Sequence, residues 1–289
     1  MAKAREIKKR INAVRTTRKI TRTMEMVSTS KLKRFQHLSV ASRPYSEALS
    51  EVLKALRGSP AASTHPLFIE RDPVRRVGIV VLTSNRGLCG AFNNSISRLA
   101  MDRALEYKSK GIDVDLFLIG KKGNAFFRHR HIPAAYSNII LNDQFSSEGC
   151  IEFADMLMNR FLSGEIDCVE TVYSRFVSAG QQNIRFERLL PLAPLAEDER
   201  EGAGADFIFD PSGDQILEAV LPLALRSDVY RMIVDNIASE HAARRNAMKL
   251  ATDNADEMIT FLTRSFNRER QSQITQELTE IIGGSNAIA

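Results

Sequence analysis

The sequence contains no apolar run approaching the roughly 20 residues that a membrane-spanning helix needs. Residues 1–5 are basic and lack the apolar segment of a signal peptide, so we interpret them as part of the mature chain. Only three cysteines occur, Cys89, Cys150 and Cys168, at irregular spacing. So few cysteines predict a reducing, cytosol-facing compartment, with a Cys150–Cys168 bridge as the less favoured alternative.

Motifs for nucleotide binding and catalysis are also missing. Residues 82–93 have the outline of a phosphate-binding loop, but neither GxxxxGK[ST] nor GxGxxG occurs there or at residues 120–123. His129 and His131 have no cysteine or acidic cluster beside them, which makes a poor set of metal ligands. We therefore expect structural turns and a solvated loop here, with no catalytic residue, cofactor or metal site.

Acidic residues are almost absent from the N-terminal segment. Residues 1–43 carry 13 Lys or Arg against Glu6 and Glu25, a net charge of +11, whereas the rest of the chain sums to −6. Such a segment favours an acidic partner, either nucleic acid, anionic lipid or an acidic protein surface. No aromatic residue precedes Phe35, so stacking on nucleic-acid bases is unsupported.

Glycine and proline are absent from residues 223–282. One helix of that length spans about 90 Å, more than the diameter of a small domain. Its apolar residues step by three and four, which is typical of a coiled-coil seam. The predicted seam residues are Met248, Ala251, Ala255, Met258 and Leu262, resuming at Ile274, Leu278 and Ile281. Gly283 and Gly284 predict the end of the helix.

The N-terminal residues 1–58 predict the partner of this helix. Pro44 is their only proline and predicts a kink or an end after about 40 helical residues, followed by further helix. Two short seams are predicted, at Ile7, Ile11 and Val14 and, offset, at Ile20, Met24 and Val27. Because a long helix cannot bury its own apolar stripe, we expect the terminal helices to pair antiparallel.

Between these helices, strand and helix patterns alternate, which predicts a Rossmann-like α/β layer with a mostly parallel sheet. The predicted strands are residues 77–83, 115–119 and 168–177, with edge strands at 183–190 and 206–210. The predicted helices are residues 94–110, 124–128 and 147–162. The predicted fold class is thus α/β plus a long coiled coil, divided into residues 1–58, 74–191 and 206–289.

Four segments, in order along the chain, resemble the gamma subunit of F-type ATP synthases. They are residues 19–27 (KITRTMEMV), 82–90 (LTSNRGLCG), 247–255 (AMKLATDNA) and 265–281, which ends in QSQITQELTEI. Asn85 stands where the family usually has Asp, and Ala91 where it often has Gly. The dithiol insertion of chloroplast forms is not apparent, so the resemblance does not extend to thiol regulation.

This resemblance implies a non-catalytic rotor of the central stalk. In that family the paired terminal helices turn inside a ring of alternating alpha and beta subunits, and the beta subunits hold the nucleotide sites. The α/β domain lies near the epsilon subunit and the membrane c-ring. The implied location is the cytoplasmic face of a bacterial inner membrane.

The resemblance also implies partner contacts at particular residues. Met24 and Arg244 are expected near beta-subunit loops, and Gln271, Thr275 and Glu277 in the upper ring. For Met24 the alternative is a place in the coiled-coil core. The all-polar residues 267–273 are either bare in water or enclosed by other subunits.

Two other classes of function stay open from the residues alone. A free-standing coiled-coil adaptor would bind nucleic acid through the basic segment, and this would show as salt-sensitive DNA binding. An independent enzyme would bind and hydrolyse nucleotide as the purified chain.

Overall fold

The computed structural model describes residues 2–57, 64–139, 146–192 and 213–288. Its helices are α1 (Ala2–Arg57), α2 (Phe92–Ser109), α3 (Lys121–His129), α4 (Ser147–Leu162) and α5 (Gly213–Ile288). Its strands are β1 (Arg76–Leu82), β2 (Asp113–Ile119), β3 (Tyr136–Asn138), β4 (Cys168–Phe176) and β5 (Gln182–Leu190). None of the described helices has the length and apolarity needed to cross a membrane.

The five strands form one sheet in the order β3-β2-β1-β4-β5. All neighbours are parallel except β5, which runs antiparallel to β4 at the edge. Six of the seven β1 residues are buried, because helices cover both faces of the sheet. On one face Ile79 and Val81 pack with Ile96 and Phe127 of α2 and α3. The other face packs against α4, α5 and residues 32–56 of α1.

The sequence predictions for this sheet are largely confirmed. β1, β2, β4 and the edge strand β5 lie within two residues of their predicted bounds, and α4 matches its bounds. The three-residue β3 was missed because it is too short to show an alternating pattern. The predicted strand at residues 206–210 lies outside the described residues.

Two predicted helix ends are wrong, the one at Pro44 and the one at Gly283, whereas a kink at Pro44 stays a prediction. α1 continues through Pro44 to Arg57, and α5 continues through Gly283 and Gly284 to Ile288. Pro44 removes one backbone donor, but Leu56 beyond it is fully buried and holds the following turns in place. A glycine lowers helix propensity by about 1 kcal/mol without ending a helix by itself.

The alternative disulfide is also wrong. Cys150 and Cys168 are both free thiols, and each is buried. Cys150 is 0% exposed within the apolar core under α4, and burial raises the pKa of its thiol to about 12. Such thiols are inert packing groups rather than redox pairs.

The chain divides into two compact units. Unit 1 combines Met1–Thr29 with Arg244–Ala289, and unit 2 is Ser30–Ala243. α1 and α5 each contribute to both units, whereas the sheet belongs to unit 2 alone. The division into residues 1–58, 74–191 and 206–289 stays a prediction.

Candidate interaction surface

Unit 1 is an antiparallel pair made from the start of α1 and the last part of α5. Lys3 Nζ lies 3.3 Å from Glu269 Oε2, and Arg18 donates to Asp256. The hydroxyls of Thr21 and Thr252 are 2.7 Å apart and share a hydrogen bond. Residue numbers rise on one helix as they fall on the other, which confirms the predicted antiparallel pairing.

The seam of this pair is narrow and partly polar. On α1 its buried members are Ala4, Ile11, Thr21 and Ser28, and on α5 they are Met248, Thr252 and Ala255. Small residues and hydroxyls at these positions let the helices approach closely. The buried Thr21–Thr252 bond fixes their register, as a polar pair does in other coiled coils.

The structure confirms the predicted seam at Ile11 but overturns its continuation. Ile20 and Val27 are 55% and 50% exposed, and Thr21 and Ser28 lie in the seam instead. On α5, Met258 is 52% exposed. The sequence-based choice followed apolar residues, whereas the heptad spacing from Ile11 continues through polar ones.

Large apolar side chains therefore remain on the outside of unit 1. The exposed set on the paired part is Ile20, Met26, Val27, Leu250, Met258 and Phe261. Phe261 is 68% exposed. So many apolar side chains on a two-helix rod are typical of a surface that another protein covers.

The end of α5 has no α1 residue opposite it. Since Lys3 already pairs with Glu269, the later residues of α5 extend past the start of α1. Ile274 and Leu278 are 48% and 53% exposed there, and they lie one turn apart on one face. This overhang, residues 270–282, carries an apolar stripe that no described part of the chain covers.

The predicted contact residues fall at two levels of unit 1. Gln271, Thr275 and Glu277 are all exposed on the overhang. Gln271 and Glu277 each lie three residues from Ile274, and Thr275 lies three residues from Leu278, so all three flank the apolar stripe. Met24 is half-buried beside the seam, and Arg244 is only 6% exposed. Arg244 and Gln271 are about 40 Å apart along the helix at 1.5 Å per residue. The structure therefore does not gather the five residues into one site.

The basic segment offers unpaired charge on the outside of α1. Among the described residues, Lys8, Lys9, Arg15, Lys19 and Arg22 are exposed and form no ion pair. Their charges are therefore available to an acidic partner, and salt would screen that attraction.

The turn that resembled a phosphate-binding loop accepts hydrogen bonds from the start of α3. At the start of α3, the N–H groups of Lys121, Lys122 and Gly123 donate to Asn85 Oδ1, Ser84 O and Thr83 Oγ1 at 2.8–3.0 Å. These donors would otherwise be the ones to bind an anion.

Glycine is required immediately before α3, where the chain passes close to the turn. Gly120 has a φ of 103°, and a Cβ there would lie 2.1 Å from the carbonyl oxygen of Thr83. The segment thus joins two strand ends closely, which fits the predicted structural turn. His129 and His131 are exposed at and just beyond the end of α3.

Sequence reasoning missed Asn236 and Ser239 of α5, which are fully buried. Both bond to the backbone of Ser174 in β4. The same stretch of α5 also holds the buried Asp235, Glu240 and His241, so no local signal in the sequence singled them out.

Comparisons with known proteins agree over the full length. The ATP synthase family model matches residues 3–288. The ATP synthase gamma chain of Gemmatimonas aurantiaca is 45% identical over 288 residues, covering 100% of this chain and 99% of that protein. That of Leptospira biflexa is 40% identical over 289 residues, covering 100% of both chains.

Solved structures show the same fold at lower identity. The structure of the Euglena gracilis mitochondrial ATP synthase, OSCP/F1/c-ring in rotational state 3, has a chain with a TM-score of 0.64 and 19% identity, covering 99% of this chain and 95% of that one. The central stalk/c-ring structure from Tetrahymena thermophila gives a TM-score of 0.61 at 23% identity, covering 80% and 99%. Given the full-length identity to the bacterial relatives and the shared fold, the chain belongs to the family of ATP synthase gamma chains.

Proposed function

We propose that this chain is the central-stalk rotor of an F-type ATP synthase. Unit 1 turns inside a ring of alternating alpha and beta subunits and couples transmembrane ion flow to ATP synthesis or hydrolysis. The observation that carries the proposal is the uncovered apolar surface of unit 1, on both the paired helices and the overhang. A rod that ended in water would carry polar residues at these positions.

The chemistry of that surface suits a part that must turn. Apolar contact is non-directional, so rotation exchanges one apolar neighbour for another without breaking specific bonds. Exposed bases on α1 add attraction towards acidic loops of the beta subunits, and this attraction acts over about 8–10 Å at ordinary salt. Neither interaction requires one fixed angular position.

We infer that the chain itself is not catalytic and that the nucleotide sites belong to the beta subunits. Support comes from the start of α3, where acceptors in the turn after β1 already occupy the N–H groups of Lys121, Lys122 and Gly123. An α/β sheet otherwise uses this end to bind phosphate.

Further partners are proposed for the sheet of unit 2. They are the epsilon subunit and the membrane c-ring, at the cytoplasmic face of a bacterial inner membrane. Support comes from the bacterial relatives and from structural neighbours described as central stalk with c-ring. Association with the membrane is then indirect, through the complex.

Within the ring we propose two levels of contact. Gln271, Thr275 and Glu277 meet the upper ring from the overhang, which no α1 residue covers. Met24 and Arg244 lie further along the pair, near beta-subunit loops. Met24 is half-buried, so only the exposed part of its side chain meets the loop. Arg244 is almost fully buried and contacts the loop through the small part that is exposed.

The test is co-expression with alpha and beta subunits from the same source, followed by size-exclusion chromatography and an ATPase assay. We expect a stable complex with one copy of this chain per ring, which hydrolyses ATP while the chain alone does not. The matched control is the ring prepared without the chain. A chain that elutes apart from an intact ring would overturn the proposal.

A further inference from the structure

The strand β4 runs on past the end of its pairing with β1. The parallel register between them extends from Val77 opposite Cys168 to Val81 opposite Val172, but β4 continues to Phe176. On its other side β4 stays paired with β5, where Ser174 lies opposite Ile184. The backbone groups of Ser174 that face β1 therefore lack a strand partner, although Ser174 is only 1% exposed.

Helix α5 supplies both missing partners from its side chains. Asn236 Oδ1 accepts a hydrogen bond from the Ser174 N–H at 3.0 Å, and Ser239 Oγ donates to the Ser174 carbonyl oxygen at 2.9 Å. Asn236 and Ser239 are both 0% exposed and lie three residues apart on one side of the helix. Together they replace the donor and acceptor that a longer β1 would have offered.

This position is a special one in an α/β sheet. The chain crosses from β1 to β2 on one side and later returns to β4 on the other, so the sheet reverses its order between β1 and β4. Ligands of such sheets usually bind in the crevice at the carboxyl ends of those two strands. Here the side chains of Asn236 and Ser239 occupy this crevice in place of a ligand.

We propose that Asn236, Ser239 and the Ser174 backbone form a clamp through which torque passes between the sheet of unit 2 and helix α5. The proposal rests on the proposed rotor function. Apolar packing between α5 and the sheet is non-directional, so it resists twisting of the helix weakly. Hydrogen bonds weaken steeply as their angle changes, so two of them to a backbone held in a five-stranded sheet oppose that twist.

The clamp lies on the same helix that forms the rod. α5 runs without interruption from Gly213 to Ile288, so torque on its far part reaches Ser239 through one helical backbone. Asn236 Nδ2 is buried without a hydrogen-bond partner among the described residues. An unsatisfied buried amide N–H is costly, so the bond accepted by Oδ1 is the reason for an amide at this fully buried position.

The experiment compares the torsional stiffness of two attachment points on the assembled, stalled complex. Single cysteines replace the exposed Leu105 of α2 or Leu223 of α5, and each carries a bead whose thermal angular fluctuation is recorded. Because the native cysteines are all buried, a probe should label the added one selectively.

With Asn236→Ala and Ser239→Ala combined, the angular variance at Leu105→Cys should rise by about twofold, since two directional links are lost. At Leu223→Cys it should stay at the unmodified value, because that bead reports on α5 itself. The matched control, Ser46→Ala with Ser227→Ala, removes a 2.9 Å hydroxyl pair between α1 and α5 that does not involve the sheet. It should change neither variance.

Ser239→Ala alone keeps the test readable if the double variant does not fold. It removes one bond with little change in volume and should give a smaller rise at Leu105→Cys. Unchanged variance there, or equal broadening at both attachment points, would overturn the clamp. Since the complex is stalled, wild-type complexes that assemble but never rotate would overturn the rotor function and leave this comparison intact.

Discussion

Glu170 is an acidic residue in the buried centre of β4, with only 4% of its surface exposed. Tyr107 donates a 2.7 Å hydrogen bond to its Oε1, while Oε2 has no hydrogen-bond partner among the described residues. Burial raises the pKa of this carboxyl above its ordinary value of 4.5, although the Tyr107 bond and the positive charges of Arg188 and Arg103 oppose the shift. The folded chain therefore holds this proton more tightly than the unfolded chain.

The pH dependence of the free energy of unfolding follows from this difference in the pKa of Glu170 between the folded and the unfolded chain. Between the unfolded and the folded pKa the folded state binds more protons, so the free energy of unfolding falls as pH rises through this window. Replacing Glu170 by Gln keeps an acceptor for Tyr107 and removes the titration. We expect the melting temperature of Glu170→Gln to exceed the wild-type value by roughly 2–4 °C above the window.

Thermal unfolding followed by circular dichroism across pH 4 to 8 measures this effect, and the gain should shrink towards pH 4. The exposed Glu165→Gln serves as the control and should leave the profile unchanged. A Glu170→Gln variant that is less stable than wild type at every pH would show that the ionised carboxylate is stabilising.

At Met24, a substitution by lysine places a cation where we propose a beta-subunit loop. The added lysine is expected to form an ion pair with an acidic loop of a beta subunit. This ion pair would favour certain rotational positions of unit 1 within the ring. We expect ATP hydrolysis by the complex to stay largely intact, whereas ATP-driven ion pumping into membrane vesicles is clearly impaired.

The control for Met24→Lys is Met26→Lys. Met26 is 59% exposed and points to a different side of α1, so it carries the same change away from the proposed contact. Normal pumping by Met24→Lys, or equal loss in both variants, would contradict a specific contact at Met24.

At the scale of one element, the overhang of α5 depends on its partner for burial. Ile274→Ser with Leu278→Ser removes the centre of its apolar stripe without touching the seam. At about 1–1.5 kcal/mol for each side chain, the dissociation constant from the ring should rise by about 30-fold to 150-fold.

Size-exclusion chromatography at falling concentration, or a pull-down titration, measures that loss. The paired control is Leu105→Ser with Ile151→Ser, which removes equally exposed apolar residues from α2 and α4. If both double variants bind the ring as wild type does, the stripe is not part of the ring contact.

Elements with strong local patterns were predictable from the sequence. The buried run of β1 and the 3.6-residue periodicity of α4 gave bounds within two residues, since each pattern reflects burial that the element needs. The long helices were also predictable, and so was their pairing, because neither can cover its own apolar side.

The details of the pairing were not predictable, since they depend on residues far apart in the chain. Thr21 lies in the seam only because Thr252 faces it, and no local pattern shows that partner. Ile20 was the stronger apolar choice, yet it is exposed, because the other helix pairs with Thr21 instead. Likewise, nothing local marks Asn236, whose role depends on where β1 stops.

In the molecule as a whole, net positive charge is concentrated in residues 1–43, and the rest of the chain is net negative. This separation predicts an effect of the basic residues on rotation within a complex. We expect that changing Lys8, Lys9, Arg15, Lys19 and Arg22 together to Gln alters rotation rate or coupling more than assembly. The reason is that apolar contact supplies affinity, while the bases supply long-range attraction to acidic loops. Rotation assays and ion pumping at low and high salt measure the effect.

The control removes three bases from the helices of unit 2, with Lys108, Lys121 and Arg128 changed to Gln. These residues are exposed on α2 and α3. Loss of assembly alone in the α1 variant, with normal coupling in whatever complex remains, would count against this role of the charge.

The pairing of the two chain ends also fixes when the rod can form during synthesis. Arg18 and Asp256 are separated by 238 residues, and Thr21 and Thr252 by 231. At 5–20 residues per second, roughly 10–50 s pass on the ribosome between the two halves of each pair. All strands of the sheet are synthesised before residues 252–256 of α5. During this interval the seam residues of α1 have no partner helix to cover them. The helix pair of unit 1 can therefore form only after the last part of α5 has been synthesised.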